Sequence, residues 1–474
     1  MEHFYFLDFL MFALKRFTAA VFALLILAGC QLSRDKISVT KPLQLIKNEV
    51  RQISQSLTPT VEKPNLSIPL TSMISKSDAS VDLEQGFRAA IKNAVMTDPS
   101  IKADQQNLAV LSSSIEATEA TKKFQVSGTV YAGFEDVTDE TRGIALVLTA
   151  NRLLFDSGGL DATIAAQKLE LKSAELALDA RINQRAMELT ELWIDYYRYK
   201  NLNEQIEDRL MVLGPLIDQL ERVAEAGIGD VSRVAAAQRT VSVIEATQTE
   251  VAEKFEQSRL AFLNSFGNLP TESNLNLGFI SEAVPAKIDS EMAAKAPALR
   301  SLYAAYQAKE AAVAAVRAKA GVNVGFETRI QRPFGGSARD SDEQLGIVLR
   351  KTLYDGKKLD VEIAQAELEV KAKISELQST YRQGEMQVRS FEQSIASFDK
   401  AVVLASKNAA DMEEEIAYLK QQLIIGGSTL DNVLSAEARL YDVKSRKVNF
   451  AAEKQKSEVK LLSTLGKLSL ALRM

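Results

Sequence analysis

Histidine and cysteine are almost missing from this sequence: His3 and Cys30 are the only ones in 474 residues. Both lie in the N-terminal segment, and a chain processed there keeps no histidine and no free thiol. A Ser–His–Asp triad, a cysteine nucleophile or a His/Cys metal site then has nothing to build it within one chain. Carboxylates remain, but paired acids arise by chance on any Glu-rich helix. The chain therefore reads as a non-enzyme with no cofactor and no metal. Basic runs are lacking too. With 57 Lys and Arg against 62 Asp and Glu the formal net charge is −5, and nothing supports a nucleic-acid partner. Proline (10) and tryptophan (1) are scarce, while Ala, Gln, Glu, Lys and Leu abound. That bias favours long helices.

Long apolar runs are also missing. Lys15 and Arg16 precede an apolar stretch from Phe17 to Leu27, about 11 residues where a membrane-crossing helix needs about 20. It reads as a signal peptide. Leu27-Ala28-Gly29-Cys30 follows and resembles the bacterial lipobox, whose cysteine takes a covalent lipid and becomes the first mature residue. Residues 1–30 are thus a lipoprotein signal, with 11–30 the signal proper if translation starts at Met11, and Cys30 is the lipidation site. Gln31 rather than Asp after the cysteine resembles the signal for export onward to the outer membrane, which places a lipid-anchored body in the periplasm. Residues 31–80 carry Pro42, Pro59, Pro64 and Pro69 among many Ser and Thr, an extended tether.

What the chain does contain is a doubled pattern. Leu154-Phe155-Asp156 returns as Leu353-Tyr354-Asp355, Gly227 as Gly426 and Gly267 as Gly466, each 199 residues on. Upstream the shift is 198, with Ile101 matching Leu299, Ile115 Val313 and Val126 Val324. One residue was therefore inserted between polar segments around 135–143 and 333–343, where exposed loops tolerate it. The repeats span 81–270 and 294–474, with 271–293 between them.

Within each repeat apolar residues recur every seven positions. The first row is Ile164, Leu171, Leu178, Leu192, Tyr199, Ile206 and Leu213, accompanied by Ile182, Leu189, Tyr196 and Leu210. The second is Ile363, Val370, Leu377, Phe391, Phe398 and Met412, accompanied by Tyr381, Val388, Ile395 and Val402. The rows break at the equivalent positions Arg185 and Gly384. A sustained heptad means helices packed side by side, and a run of about 65 residues is about 100 Å long. Pro215 is placed to kink the first near its end. Each run meets a glycine turn, Gly227-Ile228-Gly229 or Gly426-Gly427-Ser428, and a return helix follows over about 231–266 and 430–465.

Ahead of each long helix the period becomes two. Phe124, Val126, Val130, Ala132 and Phe134 alternate with polar residues, as do Val322, Val324, Phe326 and Ile330. Partner strands read Leu146, Leu148, Ala150, Arg152, Leu154 and Leu345, Ile347, Leu349, Lys351, Leu353, giving hairpins over 124–154 and 322–353. Runs of about 10 residues have the length of transmembrane β-strands, and Arg152 and Lys351 fall where a basic side chain can reach the membrane–water boundary. Four strands cannot stand open in lipid, and single-chain bacterial barrels begin at about eight. Several chains must share one barrel.

The doubled order of helix, hairpin, Leu-aromatic-Asp turn, long helix, glycine tip and return helix resembles the TolC-type outer-membrane factor family over residues 81 to about 470. Val81-Asp82-Leu83-Glu84 leading to Asp98-Pro99 is similar to that family's opening helix. The resemblance implies a mainly α fold with a small β part: helical hairpins forming an α-barrel and four strands per chain in a shared barrel of a homotrimer. It implies a passive conduit for small-molecule efflux or type I secretion, working with a periplasmic adaptor (membrane fusion) protein and an inner-membrane pump or ABC exporter. The tips, Gly227, Ile228, Gly229, Gly426, Gly427 and Ser428, would dock the adaptor. Family tips carry Asp where Arg233 and Asn432 stand, and the gate Tyr and Arg of relatives fall on Leu423 and Ser428, so Asp230, Arg233 and Asp431 are the candidate gate charges. The rival reading is a lipid-anchored, non-conducting coiled-coil scaffold.

Overall fold

The computed structural model describes residues 81, 83, 85–133, 143–226, 231–270, 275–288, 290–333 and 342–474. The signal, Cys30 and tether therefore lie outside the described residues, as do most of the two polar loops and the first glycine tip. The chain divides into residues 1–77 and 78–474, and the described residues belong to the second unit.

The element order is doubled. Helices α1 (Phe87–Thr97) and α2 (Pro99–Ala120) lead into strands β1 (Gln125–Gly133) and β2 (Gly143–Phe155). Then come α3 (Gly159–Glu225) and α4 (Val231–Phe266). Short helices α5 (Gly278–Ala283) and α6 (Ser290–Ala294) precede α7 (Pro297–Ala318), β3 (Asn323–Pro333), β4 (Asp342–Arg350), α8 (Lys358–Ile424), α9 (Leu430–Thr464) and α10 (Leu468–Ala471). Helices α3 and α8 have 67 residues each, about 100 Å.

The Leu-aromatic-Asp turn starts both long helices for one reason. Asp156 accepts hydrogen bonds from the Gly158 and Leu160 amides, and Asp355 accepts from the Leu359 amide at 2.8 Å. These carboxylates satisfy orphan donors at a helix start and favour its positive end. Each turn also needs two successive left-handed residues: Ser157 and Gly158 (φ 58° and 85°), then Gly356 and Lys357 (φ 71° and 67°). The same 199-residue shift relates Gly267 (φ 78°) to Gly466 (φ 68°), one residue beyond α4 and two beyond α9.

Helix α3 continues through Pro215. The expected disturbance there does not end the helix, since a proline removes a single ladder bond and its neighbours hold the rest. The break of the heptad at Arg185 also has a cause. Its Nε donates to Asp98 Oδ2 at 2.7 Å, while Asp98 caps α2 through the Ser100 amide at 2.8 Å. A core position was exchanged for a charged link that fixes the α1–α2 step to α3. In α8 the heptad row meets a different setting. Ile363, Val370, Leu377, Phe391 and Phe398 are only half-buried, whereas Leu189, Tyr196, Ile206 and Leu213 of α3 are buried. Helix α3 is packed by α7, α4 and α9, while α8 has α9, α7 and, at one point, the short α6.

The main core lies where α1, α3, α4 and α9 meet. The lone tryptophan, Trp193, sits edge-on to Phe87, Phe262 and Phe266 with centroids 4.9–5.3 Å apart. Ile91, Val95, Ile194, Val459 and Leu462 complete it. Burial of each such side chain stabilises by about 1.5–3 kcal/mol.

The strands form one antiparallel sheet in the order β1-β2-β3-β4. The two hairpins join through β2 and β3, with Ala150 opposite Thr328 and Leu148 opposite Ile330. A bulge at Leu154 interrupts this register near the helical end. Strand β4 stops at Arg350, so Lys351 and Leu353, expected inside it, lie just beyond; the turn that Asp355 begins pulls the chain out of the sheet there.

Candidate functional site

Residues directly opposite in an antiparallel ladder share a face, so the register sorts every strand residue. One face holds Val126 and Val130 of β1, Leu146, Leu148, Ala150 and Arg152 of β2, Val324, Phe326 and Ile330 of β3, and Leu345, Ile347 and Leu349 of β4, with Thr328 as its polar exception mid-strand. The other holds Gln125, Ser127, Thr129, Thr149, Asn151, Glu327, Arg329, Gln331, Gln344 and Arg350, with Val147, Leu153 and Val348 as apolar exceptions. The polar face is internally bonded: Ser127 and Thr149 hydroxyls lie 2.6 Å apart, and Arg350 pairs with Glu327 at 2.6 Å.

The apolar face is uncovered. Leu345 is 75% exposed, Ile347 71% and Val130 61%. Water-facing strands normally do the reverse, turning the apolar face inward. Charge marks both ends of this face, with Arg152 at the helical end and the Arg332–Glu343 ion pair at the other. From Val324 to Arg332 the face is about 27 Å of strand. Tilted as in a barrel, that is about 20 Å, close to the apolar band of about 25 Å that outer-membrane barrels present. Strands β1 and β4 each have one edge with no partner strand among the described residues.

Of the two tips, the second is described. Gly426 takes φ 78°, its amide donates to Leu423 O at 3.3 Å and the Gly427 amide to Gln422 O at 2.8 Å. This pair of bonds is the Schellman closure of a helix end, and only glycine enters it without strain. Thr429 caps α9 by accepting from the Asn432 amide at 3.4 Å. Ile424 and Ile425 stand 85% and 74% exposed at the turn. Leu423 packs against the apolar cluster that includes Leu213, Leu430 and Leu434. Asp431 lies in the first turn of α9. Gly227, Ile228, Gly229 and Asp230 lie outside the described residues, and Arg233 is described only as part of the α4 backbone.

Charge pairs between the repeats were not found by sequence reasoning. Along α3 and α9, Lys460 reaches Glu191 at 3.2 Å, Lys456 reaches Asp195 at 2.7 Å and Arg198 reaches Glu453 at 2.8 Å. The signal was available as opposite charges at helical spacing, but only the antiparallel register brings them together. Nearer the tip the seam turns apolar with Ile206, Leu213, Leu434 and Tyr441, and the Arg209 guanidinium lies 4.4 Å from the Tyr441 ring centroid. Glu458 of α9 is 3% exposed and accepts from the Ser281 hydroxyl of α5 at 2.7 Å. Burial pushes its carboxyl above the usual range, against the pull of Ser281 and Lys454, while Asp399 adds to the rise.

Among the described residues no helix is long and apolar enough to cross a membrane, and no cluster of three His, Cys, Asp or Glu could hold a metal. The first statement does not bear on a β-barrel.

No protein-family model matches the sequence, and no curated protein matches it. Solved structures do match. CusC, described in terms of folding and transmembrane channel formation, aligns at a TM-score of 0.71 with 15% identity, over 80% of this chain and 91% of that one. The outer membrane protein VceC of Vibrio cholerae aligns at 0.67 with 17% identity, over 80% and 95%. The Campylobacter jejuni CmeC outer membrane channel aligns at 0.69 with 11% identity, over 93% and 94%. The duplicated hairpin plan, the four-stranded sheet and these alignments agree: the chain has the fold of TolC-type outer-membrane channel proteins.

Proposed function

We propose that this chain is the outer-membrane channel of a tripartite export system, a passive conduit from periplasm to exterior with no chemistry of its own. The observation that carries the reading is the sheet. Its exposed apolar face has about the height of a membrane band, its opposite face is polar, and neither edge has a partner strand among the described residues. In lipid each unpaired edge group costs several kcal/mol, and three copies supply twelve strands to close the ring around a water-filled lumen. The half-buried face of α8 is then the helical counterpart of those open edges, covered by a neighbouring copy. Lipid on Cys30 anchors the chain to the outer membrane.

The helical tips Gly227–Gly229 and Gly426–Ser428 dock a periplasmic adaptor, which links the duct to an inner-membrane pump or ABC exporter. Asp230, Arg233 and Asp431 are the gate charges in this reading. Small-molecule efflux and type I secretion both fit the conduit, and the inner-membrane partner decides between them. A non-conducting scaffold leaves the two-faced sheet without a use. Purified full-length protein added to a planar bilayer is expected to give discrete conductance steps. Folded, oligomeric protein that gives none would overturn the channel in favour of the scaffold.

A further inference from the structure

We propose that the junction between sheet and helices is a binding belt for the phosphates of anionic phospholipid headgroups. The inference rests on the membrane reading above and concerns the periplasmic-side leaflet, where the helical end of the sheet would lie.

The strands alternate in direction, so the starts of β1 and β3 and the ends of β2 and β4 share one level. Four cations are placed there: Lys123 before β1, Arg152 in β2, Lys351 just past β4, and Lys357 in the turn into α8. All four are exposed, and among the described residues none has a carboxylate at ion-pair distance; Glu119, which feels the Lys123 charge, is held by Lys168. Arg152 donates through Nε to the Lys122 carbonyl at 3.3 Å and lies 5.3 Å from the Phe124 ring centroid, contacts that aim it without neutralising it.

Most of the nearby acids are already engaged. Asp156 and Asp355 cap the long helices, Asp161 holds Lys122, Glu327 holds Arg350, and Glu362 holds Lys319 and Lys358. Asp360 is the one left over, because the repeat that gives Asp161 its Lys122 puts Ala320 opposite Asp360. Aromatic side chains complete the belt: Phe124, Phe155 and Tyr354 are 46%, 55% and 84% exposed beside these cations. Aromatic rings at the apolar edge and cations one step beyond fit a lipid whose tail lies along the sheet and whose phosphate meets the charges. Closing the ring sharpens this. Strand β1 of one copy meets β4 of the next at the same level, so Lys123 approaches Lys351 and Lys357 across each seam with Arg152 one strand further in, an excess of positive charge that an anionic headgroup relieves.

Native mass spectrometry of the delipidated full-length assembly, titrated separately with phosphatidylglycerol and phosphatidylcholine, tests this. Phosphatidylglycerol should be retained in preference by roughly tenfold. The K123Q/K351Q/K357Q variant, changed only at exposed partnerless positions, should lose most of that preference while keeping its conductance, and adding R152Q should remove the rest. Equal retention of the two lipids, or an undiminished preference in the variants, overturns the belt and leaves the channel intact. Failure of the unmodified protein to enter a bilayer overturns the channel reading and the belt with it.

Discussion

Two carboxylates titrate in opposite senses in this fold, and both can be read from their neighbours. Burial opposes ionisation of Asp98, but hydrogen bonds from Ser100 and the Arg185 charge outweigh it and hold the group below its usual range. Its stabilisation is present above the unfolded carboxylate pKa and is lost as pH falls through the lowered value. Glu458 is raised, so the folded state holds its proton more tightly than the unfolded chain. That contribution is complete below the unfolded pKa and is lost as pH rises through the folded one. Glu458→Gln keeps an acceptor for Ser281 and removes the titration. Its melting temperature should therefore change less than the parent's between about pH 5 and pH 8, with the gain largest at the upper end; parallel melting curves for the two proteins would contradict the assignment. Arg185→Ala removes the charged partner of Asp98, leaving it the Ser100 hydrogen bonds, and should cost about 1–3 kcal/mol in denaturant unfolding, and an unchanged midpoint would show that the link carries no stability. Neither site was legible beforehand. Arg185 showed in the sequence only as a gap in a heptad row, because its partner lies 87 residues away.

At the scale of elements, the long helices were legible because 3.5-residue spacing over dozens of positions has no competing explanation. The caps explain their starts, and the Gly426 turn explains the end of α8. Gly466 makes a strict case: it takes φ 68°, and an added Cβ would lie 2.1 Å from Pro297 Cδ. Gly466→Ala should lower stability by at least about 1–2 kcal/mol through left-handed strain alone, with the clash added. Gly426→Ala meets nothing within 4 Å and should cost about 1–2 kcal/mol from strain alone. Paired thermal unfolding of the two variants checks this order, and a Gly426→Ala that is the more damaging would refute it. Strand ends were less legible than helices, since Lys351 kept the alternation of β4 after the chain had left the sheet. The β2–β3 pairing was invisible for a different reason: no local signal says which hairpins meet. Complementarity survived duplication even so, with Glu119–Lys168 in one repeat standing where Arg317–Glu367 stands in the other, charges exchanged.

At the scale of the whole molecule, one chain leaves two kinds of surface unfinished, the edges of β1 and β4 and the outer side of α8. Val361, Leu368, Met386 and Leu404 lie on one side of α8, at intervals of 7 and 18 residues, and each is more than 60% exposed, with polar residues such as Ser375, Arg382 and Gln393 between them. In the proposed oligomer this side meets a neighbouring copy. In the proposed channel a single copy is not the working form: three copies close a twelve-stranded ring. Native mass spectrometry of full-length protein extracted from outer membranes in mild detergent tests that directly. The account predicts one dominant species with the mass of three chains. A folded monomer as the main species, with its sheet intact by circular dichroism, would contradict it.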